Sequence, residues 1–318
     1  MPRHANYLPH GVIPAVILPF TDDLAIDEKS FRKHLSDVAA TEGLSAITVN
    51  AHSTEVASCS FDEQRRVLDI AQDEIGGRLP IVNGVWADGS LEAARIARMA
   101  EQGGASALLV FPPAPFTLGQ SPAMAVEHFK RIADATSLPL IAFQYPLATG
   151  QGYPRDTLLK MVGEVPTIRG IKDWCGNVPQ HEMHVRELQS LKRPVNVLST
   201  HSAWLLSSLV LGCNGLLSGS GSVIADLQAA LFRAVKANDL AEARRLNDRI
   251  YPLAKVFYSE PWADMHNRMK EALVLLGRLP RAVVRPPLVK IGRAEIERIR
   301  VALVEAGLLS AKAARDAA

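Results

Sequence analysis

Cysteine is scarce: Cys59, Cys175 and Cys213 are the only three in 318 residues, and they form no C-x-x-C pair. An odd, widely spaced set excludes a disulfide scaffold and a zinc ribbon, and leads us to expect reduced thiols in a cytoplasmic protein. An excess of one charge is lacking too, with 35 Lys+Arg against 33 Asp+Glu. No block of like charge exceeds two or three residues, so binding to nucleic acid or to a membrane through bulk charge is not expected. Apolar runs fall well short of the ~18 residues of a membrane span. The early apolar stretch Gly11 to Phe20 carries two prolines, poor for a signal sequence, so a soluble, unprocessed chain is expected. Lysine is also infrequent, 11 of the 35 basic residues.

What the chain does have is rhythm. Short apolar runs at 12–19, 44–50, 79–85, 105–111, 138–145, 166–172, 194–200 and 213–218 read as strands. Amphipathic stretches near 28–41, 61–76, 90–102, 122–135, 155–163, 178–190, 201–211 and 222–236 read as the helices between them. Eight βα units predict a (β/α)8 TIM barrel over 1–236. Ser60 and Glu63 have the spacing of a capping box, Ser90 is placed to open the third helix, and Gly103-Gly104 to stop it. From 237 to 318 the pattern turns helical, at 239–257, 261–277 and 293–308, with a Pro-rich segment from Arg281 to Pro287. This predicts a C-terminal helical appendix packed on the barrel, with a frayed Ala-rich tail at 311–318.

Barrel active sites lie at the C-terminal ends of the strands. There the sixth strand ends Gly170-Ile171-Lys172-Asp173. Gly170 and Lys172 share a face by the two-residue period, and the glycine leaves space beneath the lysine. A lysine in low dielectric is partly neutral and can attack a carbonyl to form an imine. A lysine that merely snorkels to pair with Asp173 fits the same residues.

Five segments carry a resemblance: Gly11 to Thr21, Val49-Asn-Ala-His-Ser-Thr-Glu55, Phe143-Gln-Tyr-Pro-Leu-Ala-Thr-Gly150, Gly170 to Asp173, and Leu211 to Ser218. Over most of its length the chain resembles the dihydrodipicolinate synthase and N-acetylneuraminate lyase superfamily, as a divergent member. These are class I aldolase-like barrels that bind a 2-oxo acid as a Schiff base. The resemblance implies that Lys172 forms the imine with no cofactor. It further implies that Ser53, with Thr54 and adjacent amides, holds the carboxylate of the oxo acid, and that the loop at Ser218 and Gly219 frames the pocket.

Departures from the family pattern matter as much. His52 stands where the family places a proton-relaying hydroxyl, and an imidazole there suits a general base. The family's catalytic tyrosine on the fifth strand is Phe143 here. Tyr145, two residues on, lies on the same strand face about 6–7 Å nearer the mouth and is a second candidate for the relay. The arginine that clamps a second carboxylate is replaced by Ala148, with Arg155 the nearest alternative in sequence. The segment Phe111 to Phe116 lacks the tyrosine pair donated across the family's dimer. Trp174, Tyr145, Leu147 and Phe116 are expected to gather into an apolar distal pocket. His201 is a candidate for contact with the distal part of the substrate, or for capping the helix that follows it.

His181 and His184, at i,i+3 on a helix, lack a cysteine or a further motif that would complete a metal site, and no metal is expected. Ser218 to Ser222 lacks the fingerprint of a nucleotide loop, though a phosphate-binding barrel remains a third reading. The expectation is a lyase, aldolase or dehydratase, acting on pyruvate or a longer 2-oxo acid with an aldehyde partner that has no second carboxylate. The alternatives are a non-catalytic 2-oxo-acid sensor and a true dihydrodipicolinate synthase with a rebuilt relay. The resemblance also implies a dimer of dimers, meeting at the Phe111 to Phe116 loop.

Overall fold

The computed structural model describes residues 3–310, so the tail at 311–318 lies outside the described residues. Eight parallel strands form one sheet: β1 (Gly11–Pro14), β2 (Ile47–Val49), β3 (Ile81–Val85), β4 (Ala107–Val110), β5 (Leu140–Gln144), β6 (Ile168–Asp173), β7 (Asn196–Ser199) and β8 (Gly215–Ser218). β1 pairs with β8 over four residues, and parallel bridges Val12↔Leu44 and Ala15↔Thr48 join it to the β2 side. The sheet thereby curls into the expected (β/α)8 barrel. The strands are shorter than the apolar runs that announced them, because the run ends lie in loops covered by other elements.

The intervening helices are α1 (Glu28–Ala39), α2 (Phe61–Glu74), α3 (Ser90–Gln102), α4 (Pro122–Ala133), α5 (Arg155–Glu164), α6 (Val178–Gln189), α7 (Leu205–Val210) and α8 (Gly221–Lys236). Both bonds of the Ser60/Glu63 capping box are present. α3 differs from the reading: Gly89 is its cap, and the Ser90 hydroxyl instead meets His128 Nδ1 at 3.0 Å.

Strand residues alternate between two apolar cores. Ile13, Val82, Leu109, Ile141, Phe143, Leu198 and Leu217 fill the barrel interior. Val12, Leu108, Leu140, Ile171 and Val197 face the helices. By this alternation Gly170 and Lys172 point inward while Ile171 points outward.

The last helices, α9 (Leu240–Phe257), α10 (Met265–Leu275) and α11 (Arg293–Glu305), extend the outer core through Leu246, Leu253, Met269, Leu273 and Leu303. α10 is unusual in composition: His266, Asn267, Arg268, Lys270 and Glu271 are all buried. Each of three has a partner that offsets its desolvation. Asn267 donates to Asp264 and to the Val289 carbonyl, and Arg268 binds Glu295 at 2.5 Å and the Phe257 and Ser259 carbonyls. Lys270 Nζ lies 2.5 Å from Glu55 and 2.7 Å from the Val283 carbonyl.

Removing one member of a buried ion pair strands the other's charge and costs about 3–5 kcal/mol, whereas replacing both by apolar residues is often neutral. Lys270→Ala is therefore expected to lower stability to denaturant by about that amount. Glu55→Leu with Lys270→Met should recover most of the loss. An exposed or solvated pair would instead give less than ~1 kcal/mol in either variant.

Candidate active site

Lys172 ends β6 inside the barrel mouth. It is buried, has no carboxylate partner among the described residues, and its Nζ stands 3.9 Å above the centre of the Phe143 ring. Burial lowers its pKa from 10.5 to about 7. At ~1.4 kcal/mol per unit, the site favours the neutral amine by several kcal/mol over water.

A Lys172–Asp173 pair does not form. Asp173 points to the opposite face of β6, where its Oδ2 accepts from His181 Nδ1 at 2.8 Å and from His184 Nδ1 at 2.7 Å, and its Oδ1 from the Cys175 N–H. Burial alone would raise this carboxyl, but the bonds from His181, His184 and His201 hold it well below the ordinary carboxylate range.

The loop after β2 is set by close backbone packing. A Cβ at Gly84 would meet the Asn50 carbonyl oxygen at 1.7 Å, so only glycine lets β3 approach. Asn50 takes a positive φ and ties the loop to α2 and β3 through Gln64 O and Asn83 Oδ1. His52 to Thr54 then form a 3-10 turn that ends at Glu55, also at positive φ. Glu55 is clamped by Lys270 and by the Arg285 N–H. The turn aims His52 and Ser53 at Lys172.

Ser53 Oγ is buried without a partner among the described residues. Such a donor is costly unless a ligand meets it. Thr54 differs from expectation: its hydroxyl donates to the Ala51 carbonyl and does not line the cavity, because the 3-10 turn folds it back.

Two cavities share His52, Trp174, Met265 and His266 as walls. The inner one, about 40 Å³, is bounded also by Lys172, Ser53, Phe143, Thr200, Gly219 and Tyr258. The outer one, about 410 Å³, is bounded by Tyr145, Trp262, Arg285 and Pro286 to Leu288 among others. The two candidates for the relay prove to be one unit, since His52 Nε2 is hydrogen-bonded to the Tyr145 hydroxyl. Burial first, and the charge of Lys172 second, depress the His52 imidazole to about 3. Burial pushes the Tyr145 phenol up. A neutral imidazole has one accepting nitrogen, and with Nε2 in that role the phenol donates to it. Trp86 and Phe111 hold the ring by edge contacts, at 5.1 and 4.9 Å between centroids.

Several expected contacts lie elsewhere. His201 is off the cavity wall: it stacks on Trp204 at 4.0 Å and faces Cys175 and Asp173 at 3.7 Å, leaving Thr200 to line the chamber. It does not cap α7, which begins after Trp204 without a side-chain cap. Ser218 is also withdrawn, its hydroxyl shared among Ser202, Ser220 and Gln228, while Gly219 remains on the wall. With the serines so occupied, the loop has no hydroxyl set free for phosphate.

Trp174 and Tyr145 do form the distal wall, joined by Trp262. Leu147 is exposed instead, and Phe116 packs into the outer core. Phe111 likewise is buried within the chain. Arg155 is exposed and bound to Glu187 and Asp156. The arginine that does reach the outer cavity is Arg285, whose guanidinium is committed to both Glu63 oxygens and to the Ser58 and Leu24 carbonyls.

His181 and His184 were set aside for want of a cysteine, yet Cys175 is close by. Asp173, Cys175 and His201 bring ligand atoms within 4.8 Å of one another, a donor set that suits zinc. The carboxylate is already satisfied by two imidazoles and a backbone N–H, which accounts for the cluster as the shell of a buried anion. Trp86, Phe111, Thr200, Tyr258, Trp262, Met265 and His266 are among the site residues that the sequence reading missed. Phe111 alone carried a signal, as the inward position that follows Leu109 on the fourth strand.

With the Lys172 amine titrating near 7, its neutral fraction grows about tenfold per unit below that pH and saturates above it. The rate of imine formation with a simple 2-oxo acid should follow the same curve, measured by reductive trapping from pH 5 to 9. A rise still near tenfold per unit between pH 8 and 9 would show a lysine with its ordinary pKa.

The model of the dihydrodipicolinate synthetase family matches residues 8–306. A 4-hydroxy-tetrahydrodipicolinate synthase of Nitratidesulfovibrio vulgaris is 30% identical over 300 residues, covering 94% of this chain and 99% of that protein. One from Methanopyrus kandleri is 30% identical over 301 residues, covering 94% and 97%. Among solved structures, the family member YagE of E. coli K12, in complex with pyruvate, superposes with TM-score 0.87 at 23% identity, covering 95% of this chain and 100% of that one. A structure described as the first monomeric dihydrodipicolinate synthase variant gives TM-score 0.87 at 22% identity, covering 95% and 98%. The matched span takes in all eight strands, the lysine of β6 and the helices that follow the barrel: the chain belongs to the dihydrodipicolinate synthetase family.

Proposed function

We propose that this chain is a cofactor-independent Schiff-base lyase that joins or parts pyruvate, or a longer 2-oxo acid, and an apolar or aromatic aldehyde. The observation that carries the reading is the buried Lys172, with its pKa lowered to about 7, beside the Ser53 hydroxyl in one small chamber, neither paired with a polar side chain among the described residues. The neutral amine attacks the C2 carbonyl, and loss of water leaves an iminium whose carboxylate is held by Ser53. The iminium then accepts the electron pair of the bond beside C3 as that bond breaks. His52 and Tyr145 take the proton of the C4 hydroxyl, whose oxygen becomes the carbonyl of the released aldehyde.

The outer cavity supports an uncharged aldehyde. Its walls include Tyr145, Trp174 and Trp262, and the charge of Arg285 is neutralised by a bidentate carboxylate. Phe143 favours a second reading, a sensor that forms the imine without turnover. The His52–Tyr145 pair supports turnover, since it restores a hydroxyl to the mouth. We further propose a dimer of dimers in the cytoplasm; light scattering that gives a 34.5 kDa monomer at working concentration would remove the assembly.

Borohydride with pyruvate is expected to leave a secondary amine on Lys172 that mass spectrometry locates, and Lys172→Ala should abolish it. Benzaldehyde and aliphatic aldehydes should exceed aspartate semialdehyde in kcat/KM. Imine without release of any aldol product would establish the sensor, and the semialdehyde as best substrate would restore the synthase. An adduct elsewhere on the chain would end the Schiff-base reading.

A further inference from the structure

His266 belongs to none of the motifs by which the sequence was read. It nevertheless borders the inner chamber together with Lys172, Ser53 and His52, reaching it from α10 outside the barrel. Its ring forms no hydrogen bond to a described residue, whereas His52 is engaged by Tyr145. Gly219 admits it: a Cβ there would lie 2.8 Å from His266 Nε2, so this nitrogen stands over the end of β8. Burial first, and then the neighbouring His52, Lys172 and Lys270, hold its pKa well below the ordinary 6.5, so the imidazole is neutral with a nitrogen lone pair unprotonated.

Aldol chemistry on an imine needs two proton transfers at two atoms. One takes the proton of the C4 hydroxyl as the C3–C4 bond breaks and its electron pair forms the C2=C3 bond, the iminium π pair returning to nitrogen. The other gives a proton to C3 of that enamine and regenerates the iminium, which water hydrolyses to free pyruvate and the lysine amine. Lys172 and Ser53 border only the inner chamber, and Tyr145 only the outer cavity. C3 of a three-carbon unit on Lys172 therefore stays in the inner chamber, while the aldehyde-side oxygen falls beside Tyr145.

We propose that His266 is the catalytic acid and base at C3, leaving the C4 hydroxyl to the His52–Tyr145 pair. In the condensation direction neutral His266 takes a C3 proton from the pyruvate imine, and in cleavage it returns one. The assignment rests on the proposed imine at Lys172.

Pyruvate alone in D2O isolates this step, because exchange of its methyl protons requires transfer at C3 and no aldehyde. Loss of the methyl signal is followed by NMR, with borohydride trapping on Lys172 run in parallel. His266→Gln and His266→Ala are expected to slow exchange about 10²-fold or more while trapping persists, which also certifies a folded site. Added imidazole should restore exchange in His266→Ala in proportion to its concentration, a rescue that a merely structural role would not allow. In His52→Asn, cleavage of an aldol adduct should fall by a larger factor than exchange. Exchange at the parent rate in both His266 variants, or no rescue by imidazole, would overturn the assignment. Absence of trapping in the parent protein would instead remove the imine itself.

Discussion

The ion pair between Glu55 and Lys270 is the constraint on which the site depends. Glu55 closes the 3-10 turn that carries His52 and Ser53, and it does so at a positive φ that a glutamate rarely adopts. Lys270 lies one turn along α10 from His266, so the contact that holds the turn also holds the helix that supplies the second imidazole. The Arg285 N–H adds a bond to the other oxygen of Glu55, and its guanidinium fastens the Pro-rich segment to α2 through Glu63. Barrel loop, α10 and the wall of the outer cavity are thereby set relative to one another. A hydrophobic contact would bury as much area, but it would leave the rotation of the turn undetermined.

The two charged residues at the end of β6 are handled in opposite ways. Asp173 is buried and kept ionised, because two imidazoles and a backbone N–H meet its oxygens. Lys172 is buried beside it and given only the face of an aromatic ring. A cation–π contact is worth roughly 0.5–2 kcal/mol. That is less than burial has removed, so the amine loses its proton near neutrality. The period of two residues makes the contrast possible: adjacent side chains emerge on opposite sides of the strand, one into a polar pocket under α6 and the other into the barrel mouth.

The barrel was legible because its signals are local and repeated. Each apolar run and each amphipathic stretch can be recognised separately, and Lys172 falls at a strand end where the architecture puts chemistry. What the sequence concealed depends on burial that composition contradicts. The segment from His266 to Glu271 is polar except for Met269, yet partners from 55, 264, 283 and 295 draw most of it into the interior. No window along the chain contains those partners. The same holds for Thr54, Ser218 and His201, whose residue types suit a substrate but whose side chains are already bonded within the fold. The rings of the 111–116 loop were hidden for a different reason, since an aromatic run can be buried under its own barrel.

The replacement of the family's tyrosine by Phe143 then has a physical reading. A phenol at that position would offer the Lys172 amine a hydrogen bond; the phenylalanine ring offers only a weak contact with its charge, less than burial removes, and the amine is pushed toward the neutral form. The hydroxyl function moves one pleat outward to Tyr145, which reaches the outer cavity and leans on His52. Under the proposed assignment, a relay displaced by about 6–7 Å along the strand no longer addresses C3 of the unit bound to lysine. It addresses the C4 hydroxyl instead, and under the same proposal the imidazole over Gly219 is the carrier at C3.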